Sequence, residues 1–161
     1  MFGVSLGLSL AHEQLGKDPS EARPQPQATW EFSALARQAL NRNDPAMAIR
    51  YCRSALELEP LGLVPNFYFG VCAMRQNNFE HAVRAFSFCV GQTPCAECFL
   101  LRGQAFVGLG DDESALKDFN LAVKLNPELG ITYQHRGNLY RKLGRTAEAE
   151  HDLKLAKILG E

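Results

Sequence analysis

Two cysteines three positions apart, Cys95 and Cys98, are the pair in this sequence best spaced to hold a metal ion or to exchange a disulfide. A closed zinc site needs four ligands, and the sequence has no second C-x-x-C. Its nearest histidines, His81 and His135, lie far along the chain on either side, so a structural metal site is not expected. The pair falls where a helix is expected to begin, and a helix N-terminus lowers a thiol's pKa. A redox-responsive dithiol therefore stays open beside the plainer reading of two incidental thiols. Asp111-Asp112-Glu113 is the densest acidic run. It too opens an expected helix, where the helix dipole accounts for negative charge without a cation. His12, His81, His135 and His151 are scattered. No Gly-rich loop with Lys-Ser/Thr, no His-Glu-x-x-His and no Gly-x-Ser-x-Gly is present, so neither an enzyme nor a cofactor is expected.

The elements that hold these residues follow from length and composition. With 161 residues, 46% hydrophobic, the chain is long enough for a real core. Seventeen Lys plus Arg against 18 Asp plus Glu leave a net charge of −1, which removes bulk-charge attraction to nucleic acid. No apolar run approaches the roughly 18 residues of a spanning helix, so no membrane insertion is expected. The apolar start, Met1 to Ala11, imitates the tail of a secretory signal but lacks a basic n-region and is too short. Five cysteines is an odd count for a disulfide framework, and a reducing, cytoplasmic compartment is expected. Asp18 to Gln27 holds three prolines and reads as a linker; helix-forming, periodic sequence follows it.

That periodic part repeats. Ala48, Cys52 and Ala55 precede Pro60; Ala82, Phe86 and Cys89 precede Pro94; Ala115, Phe119 and Ala122 precede Pro127; Ala149, Leu153 and Ala156 close the series. The leading alanines are 34, 33 and 34 residues apart, and a second cluster stands before each set, such as Phe69, Gly70 and Ala73 or Tyr133, Gly137 and Tyr140. This pattern resembles the tetratricopeptide repeat family. Asn66 departs from it at the first aromatic position, and Arg102 and Arg136 replace the apolar residue before the glycine. The resemblance implies an all-α, right-handed α-solenoid of four helix-turn-helix units, eight helices in all, behind an N-terminal segment at 1–28. The repeat domain would cover 29–161, with units at about 29–62, 63–95, 96–129 and 130–161.

The physics of the pattern is consistent with that reading. Gly70, Gly103 and Gly137 let paired helices approach closely, Asp44-Pro45 supplies an N-cap and a first helical proline, and Gly110-Asp111 ends one helix and starts the next. Where the first three units present Ile49, Val83 and Leu116, and then Leu56, Val90 and Val123, the fourth presents Glu150 and Lys157. A polar outer face of that kind suits a terminal repeat, although Leu155, Ile158 and Leu159 leave an apolar patch. At the other end, Phe2, Val4, Leu6, Leu8, Leu10 and Leu15 could cap the array, occupy its groove or await a partner.

The resemblance implies that first helices line a concave groove, and helical spacing then selects the lining residues. These are Trp30, Ser33, Ala34, Arg37, Leu40 and Asn41 in unit one, and Val64, Phe67, Tyr68, Val71, Met74 and Arg75 in unit two. Unit three adds Glu97, Leu100, Leu101, Gln104, Val107 and Gly108, and unit four Ile131, Gln134, His135, Asn138, Arg141 and Lys142. The middle is apolar and the far end basic and polar. One subgroup of the family grips chaperone C-terminal carboxylates with Lys, Asn, Asn, Lys and Arg at five such positions. Here those sites hold Ser33, Arg37, Tyr68, Glu97 and Leu101, which cannot form that grip. The expected function is a non-catalytic interaction module, an adaptor, scaffold or co-chaperone-like protein binding an apolar or amphipathic peptide or helix of another protein. A self-assembling subunit of a homo-oligomer is the alternative.

Overall fold

The computed structural model of the chain describes residues 28–160. Eight helices and no strand occur among them: α1 Thr29–Asn41, α2 Pro45–Leu58, α3 Leu63–Arg75, α4 Phe79–Gln92, α5 Ala96–Leu109, α6 Asp112–Leu125, α7 Gly130–Lys142 and α8 Thr146–Leu159. Local chemistry sets the turns between paired helices. Asn43, Asn77, Gly110 and Gly144 take positive φ at one recurring position, the left-handed conformation that Gly and Asn tolerate best. The next residue caps the second helix in three of the four pairs. Asp44 accepts from the Met47 N–H at 2.9 Å, Asn78 from His81 at 3.4 Å and Asp111 from Ser114 at 3.1 Å. In the fourth pair Arg145 takes this place, lying 4.4 Å from the Tyr140 ring centroid and paired with Glu148 at 2.6 Å.

In the second and third pairs, a glycine on the first helix meets a phenylalanine on the second. A Cβ at Gly70 would lie 2.8 Å from the Phe86 ring, and one at Gly103 2.7 Å from Phe119; both phenylalanines are fully buried. Alanines and Cys52, Cys72 and Cys89 fill the remaining small core positions. Successive pairs stack, and α1 touches α3, α3 touches α5 and α5 touches α7, whereas the second helices do not touch one another among the described residues. The array therefore curls towards its first helices. Ile49, Val83 and Leu116 are half-buried, as are Leu56, Val90 and Val123, while Glu150 and Lys157 of the last pair are exposed. The expectations for residues 1–27 lie outside the described residues.

Candidate functional site

The first helices line two adjoining hollows at one end of the concave face. A cavity of about 820 Å³ opens between the start of α1 and the start of α3, with Trp30, Ser33, Arg37 and Leu58 on one side and Val64 and Tyr68 on the other. A second, of about 280 Å³, lies between α3 and α5 against Phe67, Cys95 and Cys98. Leu63, Val64 and Tyr68 border both, so the two form one apolar surface. Trp30 is 71% exposed and Val64 51%, a large apolar area left open to solvent. Arg37 stands at its rim and is exposed.

The expected groove residues divide into three groups. Phe67, Tyr68, Val71, Met74 and Leu101 are half-buried in the seams between repeats. Phe67 meets Tyr68 and Phe86 edge-on, with ring centroids 5.8 and 6.0 Å apart. Gln104, His135, Asn138 and Lys142 ring a separate hollow of about 280 Å³ between α5 and α7, whose walls also hold Val107, Phe119 and Leu139. Arg141 is exposed beside it and donates to Asn138 Oδ1 at 2.8 Å. Leu40 and Leu100 are the corrections. Leu40 is only 5% exposed and belongs to the core cluster around Cys72, so it does not line the groove. Leu100 is 6% exposed and belongs to the core cluster that contains Phe119 and Leu139, so it does not line the groove either. Its position, the fifth of the unit, is where the next repeat's first helix closes over it; Gln134, at the same place in the last repeat, has no such neighbour and is exposed. The connection between α2 and α3, including Leu58, Glu59 and Gly62, was missed as lining. Its only sequence signal was the apolar pair flanking Gly62.

Charges at the polar end are largely engaged. Lys142 pairs with Asp112 at 2.7 Å, and Glu113 with Lys117 at 2.6 Å, so the acidic run serves helix initiation and ion pairing. No cluster of three or more candidate metal ligands occurs among the described residues. His135 stacks on Phe119 at 6.2 Å between centroids, and its burial holds its pKa below the ordinary imidazole value. Cys95 is the N-cap of α5, its Sγ accepting the Cys98 N–H at 3.2 Å. Burial, reinforced by neighbouring Cys95, pushes the Cys98 thiol up to about 12. That is opposite to the activation expected from a helix start: Cys98 is held as a protonated core thiol. Cys52 and Cys72 meet across the seam of α2 and α3, where their hydrogen bond and their burial hold the Cys52 thiol protonated as well.

Sequence reasoning also passed over two buried ion pairs. Arg102 binds both Asp118 carboxylate oxygens, at 2.7 and 2.8 Å, and reaches Ser87 of the preceding repeat at 3.3 Å. Arg136 does the same one repeat later with Asp152, at 2.6 and 2.9 Å, and with Asn120 at 2.8 Å. Each guanidinium also lies 5.5 to 5.8 Å from two ring centroids of its own helix, Phe99 and Phe106 or Tyr133 and Tyr140. The signal was available, because the Arg-to-Asp spacing recurs in the two units.

The family model described as Tetratricopeptide repeat matches residues 96–129 and 131–157, the helix pairs α5–α6 and α7–α8. These two helix pairs are tetratricopeptide repeats. A stretch of 116 residues of this repeat protein, 71% of the chain, is 30% identical to Hsc70-interacting protein 1 of Drosophila melanogaster, and the same holds for Hsc70-interacting protein 2. The chain spans 31% of the length of these curated relatives. Among solved structures it resembles MamA from Desulfovibrio magneticus RS-1, with a TM-score of 0.77 and 20% identity over 82% of this chain and 75% of that one. It is also similar to TTC0263, a thermophilic tetratricopeptide repeat protein from Thermus thermophilus, with a TM-score of 0.75 and 22% identity over 82% and 74% of the two chains. At these identities the likeness is one of fold. Repeat arrays of this kind use their concave faces as binding surfaces.

Proposed function

We propose that this protein is a non-catalytic adaptor whose concave face binds an extended apolar or amphipathic segment of another protein. One observation carries the reading: two apolar hollows joined through Leu63, Val64 and Tyr68, with Trp30 and Phe67 as flanking aromatics. Aromatic side chains in desolvated pockets supply most of the binding energy in such interfaces, and rim charges such as Arg37 act mainly on orientation and association rate. The names of the two Drosophila relatives make a heat-shock chaperone one candidate partner. Ser33, Arg37, Tyr68, Glu97 and Leu101 would have to meet it by some means other than a carboxylate grip. All five cysteines are free, which suits a reducing, cytoplasmic setting.

A random dodecapeptide phage library tests this reading directly. Selection on the wild-type chain should enrich peptides with apolar or aromatic anchors, and Val64→Asp should weaken the selected peptides at least tenfold, a step of about 1.4 kcal/mol. Val64 is open to solvent, so circular dichroism should be unchanged. No enrichment that depends on Val64 would overturn the proposal. The second reading, self-association, rests on the exposed Ile131, Ile158 and Leu159 at the far end; light scattering that shows a concentration-independent monomer removes it.

A further inference from the structure

The apolar hollow at α1 and α3 is built at the point where the chain arrives. Ala28 and Thr29, the first described residues, are part of its wall. Further upstream, beyond residues 11–27, the sequence holds Phe2, Val4, Leu6, Leu8 and Leu10, with Gly3, Ser5, Gly7 and Ser9 between them. That is strict alternation of large apolar and small residues, without a charge. Such a period of two puts every large side chain on one side of an extended segment. The described residues contain no strand for it to pair with, but they do contain an open apolar groove.

We propose that Phe2–Leu10 lies extended in this protein's own groove, its apolar side against Trp30, Val64 and Tyr68, and acts as an intramolecular competitor of the outside ligand. This inference rests on the binding role assigned to the groove above. Length permits it. At about 3.3 Å per residue nine residues span roughly 30 Å, more than enough to pass Trp30 on α1 and Val64 and Tyr68 on α3. A coil of seventeen residues reaches on the order of 20–25 Å on average, so the length of 11–27 is enough to lead from Leu10 to a hollow that Ala28 itself borders. Chemistry permits it too: an uncharged strip meets a hollow in which Arg37 and Glu59 are the charged lining residues. A tethered segment also needs little intrinsic affinity. With an effective concentration of about 1 mM and an intrinsic Kd of about 0.1 mM, it would weaken an outside ligand about tenfold.

Trp30 is the only tryptophan and so reports on the hollow. In the full chain the expected emission is blue-shifted and protected from acrylamide. Leu6→Asp/Leu8→Asp should shift it to the red and raise quenching, with unchanged helical circular dichroism. A synthetic peptide of residues 1–15 added to this variant should restore protection. Groove peptides from the phage selection should bind the variant about tenfold more tightly than the wild type. A Trp30 that is equally open in both proteins, with peptides binding both alike, overturns the self-occupancy and leaves the groove reading standing. Protection that disappears on dilution overturns it in favour of a second copy. Failure of every peptide on both proteins, with Trp30 open, removes both readings.

Discussion

The two halves of the array solve one packing problem in different ways. The position just before the tight-packing small residue, Ala36 in the first repeat and glycine in the others, is Leu35, then Phe69, then Arg102 and Arg136. Its counterpart on the second helix is Tyr51, then Ala85, then Asp118 and Asp152. Repeats one and two thus put apolar groups where repeats three and four put bidentate ion pairs, with the carboxylates 4% and 2% exposed. The hollow that exposes Trp30 and Val64 belongs to the first half, and the one ringed by Gln104, His135, Asn138 and Lys142 to the second. A repeat fold evidently specifies geometry at such a position and leaves its chemistry free. What the geometry demands is that every buried group be matched. A carboxylate is admitted only because a guanidinium, stacked on two rings, reaches it with both nitrogens.

The sharpest way to break the comparison is Asp118→Ala. It leaves Arg102 without its partner, and it should cost about 3 kcal/mol in urea unfolding, near the lower end for a broken buried pair because the arginine keeps some solvent access. The double variant Arg102→Phe/Asp118→Ala copies Phe69 and Ala85 of repeat two and should return to within about 1 kcal/mol of wild type. If single and double variants are equally unstable, the two solutions are not interchangeable.

Glycine to alanine comes next. At Gly103 a Cβ meets the buried Phe119 ring at 2.7 Å, so about 1–3 kcal/mol is expected. At Gly137 the nearest side-chain atoms, on Asp152 and Leu153, stand 3.1 Å away, and the cost should be visibly smaller in the same melt. The cap offers a third contrast: Asp44→Ala should lose about 1 kcal/mol, whereas Arg145→Ala should lose less, since Arg145 caps nothing.

The smallest expected effect is one of pH. His135 has a lowered pKa in the folded chain, so the unfolded chain takes up its proton first as pH falls below about 6.5. The neutral stacked ring then loses stability progressively until the pH drops below the folded value. Replacing His135 with Gln should flatten the slope of unfolding free energy between pH 7 and 5. An unchanged slope would mean that the α5–α7 hollow does not exclude the imidazolium.

Much of this could be read from residue order, because local rules act along the chain. The 34-residue recurrence, the residues that take positive φ, the caps at Asp44 and Asp111, and the glycines facing Phe86 and Phe119 all depend on neighbours within one unit. Leu100 was misplaced for the opposite reason. Helical spacing says which way it points within its own repeat, but Leu139, one repeat further on, is part of what encloses it. The same limit applies to Cys98, whose helix-start position favours a thiolate until burial by the surrounding helices raises its pKa. Periodicity by itself determined the helix-turn-helix repeat; the resemblance supplied the concave face, and helical spacing put its apolar residues in the middle, whereas the open apolar hollow lies at the first end. Only tertiary structure decided which of those apolar residues close the seams and which stay open, and that Arg102 and Arg136 meet aspartates in the interior. Burial is a property of stacked repeats, and no single repeat encodes its own surroundings.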